Sequence, residues 1–154
     1  MKNTTKIYLS RQGMKDLKKK ISSLEHSKKA LEAELRQDDM KEDRLTRNET
    51  LARIDSLRDD IAEKKFQLDN AKVLPKHTGK RLKVALGSFV ELLDKATGKI
   101  MKYQLVESIE ADPSTGRISA ESPLGRSLLG RRVDEEVSWT AGFKSMQMQL
   151  VHIA

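Results

Sequence analysis

Four carboxylates, Asp38, Asp39, Glu42 and Asp43, fall within six consecutive residues. On a helical turn Asp39 and Glu42 stand i,i+3 apart, on one face, with Cβ atoms about 5–6 Å from each other. Both could then reach a single Mg²⁺. That ion wants near-octahedral oxygen ligation, keeps several waters, and is usually held through one or two carboxylates plus groups from its substrate. Asp39 and Glu42 are therefore the catalytic and metal-ligating candidates, and together they make half of a metal site that a partner must complete. The competing reading is a solvated tip that gathers charge for solubility.

The flanking segments place these acids. Leu17, Ile21, Leu24, Lys28, Leu31 and Leu35 are spaced four, three, four, three and four, and Thr50, Ile54, Leu57, Ile61, Lys64, Leu68 and Ala71 keep the same rhythm. This is the a/d stripe of an antiparallel coiled coil. No proline interrupts either stretch, so two long helices are expected, with Ser10 as N-cap of the first and Asp16 near its positive end. Asn70 and Pro75 end the second. Helices of about 28 residues at about 1.5 Å per residue reach roughly 42 Å from base to tip. The stripes align Leu17 with Ala71 and Leu35 with Arg53 and Ile54, and the chain must reverse over Asp39-Met40-Lys41-Glu42-Asp43. The acids thus sit at the far end of a probe long enough to enter a deep channel. Lys28 and Lys64 within the stripe argue for a lone hairpin and a monomer, since buried lysines weaken larger bundles.

The 154 residues include 34% charged and only 4% aromatic side chains, which suits an exposed hairpin beside a modest core. The net charge of +7 divides almost evenly between the halves, and this mild basicity favours an acidic or nucleic-acid-bearing partner. There is no apolar leader and no apolar run of spanning length, so a cytoplasmic protein without membrane contact is expected. The absence of cysteine excludes disulfides, thiolate catalysis and cysteine-ligated zinc. His26, His77 and His152 stand in separate contexts and read as surface residues.

After Pro75 the texture changes to short apolar runs between turn signals. The expected organisation is a coiled-coil hairpin over 1–75, a linker over 76–82 and a β-rich domain over 83–154. Strands are expected at Ser88–Leu93, Met101–Val106, Arg117–Ala120, Glu136–Thr140 and Lys144–His152, forming an antiparallel sheet. Thr97-Gly98 and Ser114-Thr115-Gly116 read as turns. Ser122-Pro123 opens a short helix that stops at Gly130. Leu124, Leu128 and Leu129 would face the sheet, Arg126, Arg131 and Arg132 would face water or a partner, and Trp139 and Phe143 would fill the core or cover a loop. The fold class is α+β.

The order of several short motifs resembles the bacterial Gre family of transcript cleavage factors. The motifs are Leu9-Ser10-Arg11-Gln12-Gly13-Met14-Lys15-Asp16-Leu17, Asp39-Met40-Lys41-Glu42, Gly87-Ser88, Glu110-Ala111-Asp112, and Ile118-Ser119 through Ser122-Pro123-Leu124-Gly125-Arg126-Ser127-Leu128-Leu129-Gly130. The resemblance implies an FKBP-like C-terminal domain that grips bacterial RNA polymerase at the rim of its secondary channel, through Glu121, Ser122, Pro123, Arg126 and the helix they open. It also implies that Asp39 and Glu42 help hold a catalytic Mg²⁺ shared with the polymerase active site, whose water attacks the nascent RNA near its 3′ end in a backtracked complex. The protein would be an accessory with no reaction of its own. It carries Asp38 where cleavage-stimulating relatives have glycine, and Asp43-Arg44-Leu45-Thr46 where they have Asn-Ala-Glu-Tyr.

Three other readings stand beside this one. A channel-binding factor could inhibit the polymerase without stimulating cleavage. A prolyl isomerase would need an aromatic-lined pocket, and the second half offers only Phe89, Tyr103, Trp139 and Phe143. A coiled-coil adaptor with charged ends is the last.

Overall fold

The computed structural model describes residues 6–37, 43–77 and 79–154. Their elements are β1 (Ile7–Leu9), α1 (Arg11–Gln37), α2 (Arg44–Asp69), β2 (Ala71–Val73), β3 (Phe89–Leu93), β4 (Ile100–Val106), β5 (Arg117–Ser119), α3 (Pro123–Leu128), β6 (Glu136–Ala141) and β7 (Lys144–Ile153), with 3₁₀ turns at Ser108–Glu110 and Pro113–Thr115. The chain divides into two compact units. One holds Ile7 with Arg11–Val73, the other Tyr8–Ser10 with Leu74–Ala154.

In the first unit α1 and α2 are 27 and 26 residues long, or about 40 Å each at the α-helical rise. The expected stripe is the shielded one: Leu17, Ile21, Ile54 and Ile61 are buried, and Leu24, Lys28, Leu31, Leu35, Thr50, Leu57, Lys64 and Leu68 are half-buried. Two ion pairs set the direction of packing. Lys65 Nζ lies 2.7 Å from Glu25 Oε1, and Arg58 Nη2 lies 3.5 Å from Glu32 Oε1. Moving forward along α1 from Glu25 to Glu32 moves backward along α2 from Lys65 to Arg58, so the helices run antiparallel. The Lys65 ammonium holds the Glu25 carboxyl below the usual glutamate range, by its hydrogen bond first and its charge second. Asn70 ends α2 as expected, its side-chain amide donating to Phe66 O at 2.8 Å. Asp16 falls beyond the first turn of α1, which carries no acid.

The second unit is built on a five-stranded sheet of order β5-β4-β3-β7-β6. All five strands match the expected runs to within a residue at each end. β3, β4, β7 and β6 pair antiparallel, but β4 and β5 run parallel, with Leu105 opposite Ile118, which corrects the expectation of a wholly antiparallel sheet. Parallel neighbours need a crossover longer than a tight turn. Residues 107–116 supply it with two 3₁₀ turns, so Ser114-Thr115-Gly116 closes a crossover and not a hairpin. Gly116 has φ +77°, and a Cβ there would stand 3.0 Å from Lys102 O.

Val90, Leu92, Leu105, Leu128, Val137, Met148 and Leu150 form the centre of this unit's core. A register shift between β3 and β7 lets Met148, Leu150 and Ile153 all point inward, because the inserted residue resets the two-residue alternation. Two apolar expectations fail. Leu129 is 44% exposed because α3 ends at Leu128 and Leu129 turns away with ψ 126°. Phe143 is fully exposed: it occupies the two-residue turn between Ala141 and Lys144, past the last ladder pair and out of reach of the core. Trp139 packs against the core as expected.

The short strands β1 and β2, which form a two-stranded sheet, were not legible in the hydropathy pattern. Within the second unit Leu9 is almost fully buried and its carbonyl accepts from Leu74 N–H at 2.8 Å. Ser10 fastens the same segment: its N–H donates to Glu110 Oε2 at 2.9 Å and its hydroxyl to Glu110 Oε1. Glu110 is only 9% exposed, so these two bonds are what its carboxylate gains for leaving water.

Candidate functional site

Of the four clustered acids, Asp38, Asp39 and Glu42 lie outside the described residues. Asp43 is described, and it has a structural task as N-cap of α2, with extended backbone and its carboxylate accepting from Leu45 N–H at 3.5 Å. A carboxylate there also meets the positive end of the helix. Part of the acid density in the sequence is thereby accounted for by helix initiation. Among the described residues no group of three or more histidine, aspartate or glutamate side chains is arranged to hold a metal ion. No described helix is long and apolar enough to cross a membrane.

The other predicted set, Glu121, Ser122, Pro123 and Arg126, is brought together by β5, α3 and the turn between them. Ser122 caps α3: its hydroxyl accepts from Gly125 N–H at 3.0 Å and donates to Ser119 O at 2.6 Å. Pro123 sits in the first turn, where its missing N–H costs nothing and its fixed φ suits a helix. Leu128 buries completely and pins the helix to the core. Such a short helix is marginal by itself, so the cap, the proline and Leu128 together hold it in place.

This scaffold leaves Glu121, Pro123 and Arg126 exposed. Glu121 is oriented by two serines. Ser108 Oγ donates to Glu121 Oε2 at 3.0 Å and lies 2.6 Å from Ser119 Oγ, which in turn accepts from Glu121 N–H at 3.1 Å. The Glu121 carboxylate is thus aimed by Ser108, a residue that sequence reasoning missed because it lies thirteen positions away on the crossover turn. Arg126 makes no ion pair among the described residues. The result is a fixed acid, a proline and a cation on one small surface with no pocket or nucleophile beside them. Such a surface can recognise a partner and has no means of breaking a bond by itself.

A family model described as "Transcription elongation factor, GreA/GreB, C-term" matches residues 80–154. The transcription elongation factor GreA of Bacillus velezensis is 40% identical over 55% of this chain and 54% of its own length, so the match spans about half of that relative. The GreA of Mycoplasma genitalium is 34% identical over 85% of each protein. A crystal structure of GreA factor homolog 1 from Thermus thermophilus aligns over 97% of this chain and 99% of its own, at 23% identity and a TM-score of 0.44.

Proposed function

The chain belongs to the GreA/GreB family of transcription elongation factors, and from that premise we propose that it binds RNA polymerase in the cytoplasm and stimulates cleavage of backtracked RNA by the polymerase. The observation that carries this reading is the pairing of a 40 Å helical hairpin with a separate unit that offers a rigid, pocketless contact surface. In this reading the FKBP-like C-terminal unit grips the rim of the secondary channel through Glu121, Ser122, Pro123 and Arg126. The hairpin extends into the channel, and its tip brings Asp39 and Glu42 to the polymerase active site.

Two carboxylates are hard oxygen donors of the kind Mg²⁺ takes, and too few to hold it alone, so the polymerase must contribute the remaining ligands. When bound, the shared ion would activate a water for attack on the RNA phosphodiester and balance charge on the leaving oxygen. The chain itself would supply position and negative charge. Asp39 and Glu42 orient toward the metal, α1 and α2 set the reach, and the Ser108–Ser119–Glu121 network fixes the grip. It remains an accessory, because the reacting strand and the other ligands belong to the elongation complex.

A second reading shares the binding mode and assigns inhibition. It is favoured by Asp38, which adds an acid where cleavage-stimulating relatives have a glycine and its conformational freedom.

The test is a cleavage assay on a halted, backtracked bacterial elongation complex with Mg²⁺. The protein should release a short 3′ RNA fragment, and the Asp39→Ala/Glu42→Ala variant should not while binding the polymerase equally well. Undiminished binding with no cleavage by the unaltered protein, together with slowed RNA synthesis, would establish the inhibitory reading instead.

A further inference from the structure

The second unit carries a surface that the Glu121–Arg126 contact leaves unexplained. Residues 70–90 contain no aspartate or glutamate, and neither do residues 122–133. Two backbone hydrogen bonds bring these segments side by side: Val84 N–H donates to Arg131 O and Gly130 N–H to Val84 O, each at 2.9 Å. Leu82 lies two residues before Val84 and Val133 two residues after Arg131, with Leu129 beside Gly130. Leu82 is 81% exposed, Leu129 44% and Val133 41%.

The same two segments carry Lys80, Lys83, Arg126 and Arg132, all exposed and none in an ion pair among the described residues. Neighbouring Arg131, by contrast, has Glu135 at 3.5 Å and donates from Nε to Ser127 O. Contiguous exposed aliphatic side chains mark contact surfaces when polar residues rim them. Cations left without local acids gain most from a partner that brings carboxylates. The exposed members include no aromatic ring on which a nucleic-acid base could stack. A protein face fits this chemistry better than a nucleic acid does.

We propose that Leu82, Leu129 and Val133, rimmed by Lys83, Arg126 and Arg132, dock an acidic protein segment whose apolar side chains cover the three aliphatic residues. Its carboxylates meet the three cations. Resting on the polymerase reading above, the segment belongs to RNA polymerase, and the contact extends from α3 to the chain that enters the second unit.

The test uses the full chain and a Leu82→Ser/Lys83→Glu/Arg132→Glu variant, none of whose changes touches Glu121, Ser122, Pro123 or Arg126. Each competes with labelled wild-type protein for core RNA polymerase, and each is titrated against a labelled DNA duplex, with the melting temperature confirming that the variant is folded. The expected result is polymerase binding weakened by about tenfold or more at low salt, with the deficit narrowing as salt screens the charges. Equal polymerase affinity of variant and wild type would overturn the docking surface while leaving the polymerase reading intact. Loss of duplex binding with polymerase binding unchanged would overturn it in favour of a phosphate-backbone surface. No polymerase binding by the wild type would sink the polymerase reading and this inference with it.

Discussion

The position that a Cβ would take on Gly125 stands 2.0 Å from the carbonyl oxygen of Ser119. A backbone oxygen cannot move aside as a side-chain tip can, so α3 lies this close to the end of β5 only because residue 125 is glycine. Gly125→Ala should force α3 off the strand and destabilise the second unit by about 2 kcal/mol or more, lowering its melting temperature by roughly 10 °C. Differential scanning calorimetry checks this. A melting temperature within a degree or two of the wild type would show that the close approach is not required.

Asp43 and Asp39 are neighbours in sequence but are expected to separate by function. Asp43→Ala removes a helix cap whose hydrogen bond is long and exposed. It should cost the hairpin about 1 kcal/mol or less, visible as a small shift in the urea midpoint, and leave RNA cleavage close to normal. Cleavage lost as completely as in the Asp39→Ala/Glu42→Ala variant would instead place Asp43 among the metal-proximal acids.

The Glu25–Lys65 pair gives the hairpin a pH dependence of known sign. The folded carboxyl is held below its ordinary value, so the stabilisation is fully present above the ordinary glutamate range, about pH 4.3. It is lost as pH falls through the lowered folded value. Both partners are well exposed, so the effect is small and weakens with salt. Denaturant unfolding at stepped pH should show Glu25→Gln less stable than wild type near neutrality, with the two converging in acid. A gap that widened on acidification would contradict the assignment.

Lys28 and Lys64 sit half-buried on the helix–helix stripe where apolar residues would pack. Lys28 has only Glu32 at 3.8 Å, and Lys64 donates to Gln67 at 3.4 Å. Lys28→Leu/Lys64→Leu should stabilise the hairpin by about 1–2 kcal/mol through added apolar burial. It should also promote self-association by completing an apolar seam. Thermal unfolding and sedimentation velocity read the two effects. Greater stability with no change in sedimentation would mean that the lysines do not guard against larger bundles.

The hairpin and the five longer strands were legible because their signals are local. A three–four apolar rhythm and short alternating runs follow from the repeat of the backbone itself, and Ser122-Pro123 and Gly130 announce α3 by cap chemistry. β1 and β2 escaped notice, since three residues carry too little periodicity to register. Leu129 and Phe143 were misjudged because hydrophobicity states a preference for burial, while burial itself depends on where a helix ends and how far a hairpin turn projects.

By itself the sequence determined the two-part organisation, the spacing of Asp39 and Glu42, and the motif order that marks the family, since each depends only on residue type and separation along the chain. Tertiary structure alone decided that β5 runs parallel to β4, that Glu110 holds Ser10, that Ser108 aims Glu121, and that Val84 brings an acid-free segment beside Arg131. Each of these pairs residues distant in sequence. Such pairings arise from the register of strands and the course of a crossover, which no window of neighbouring residues contains.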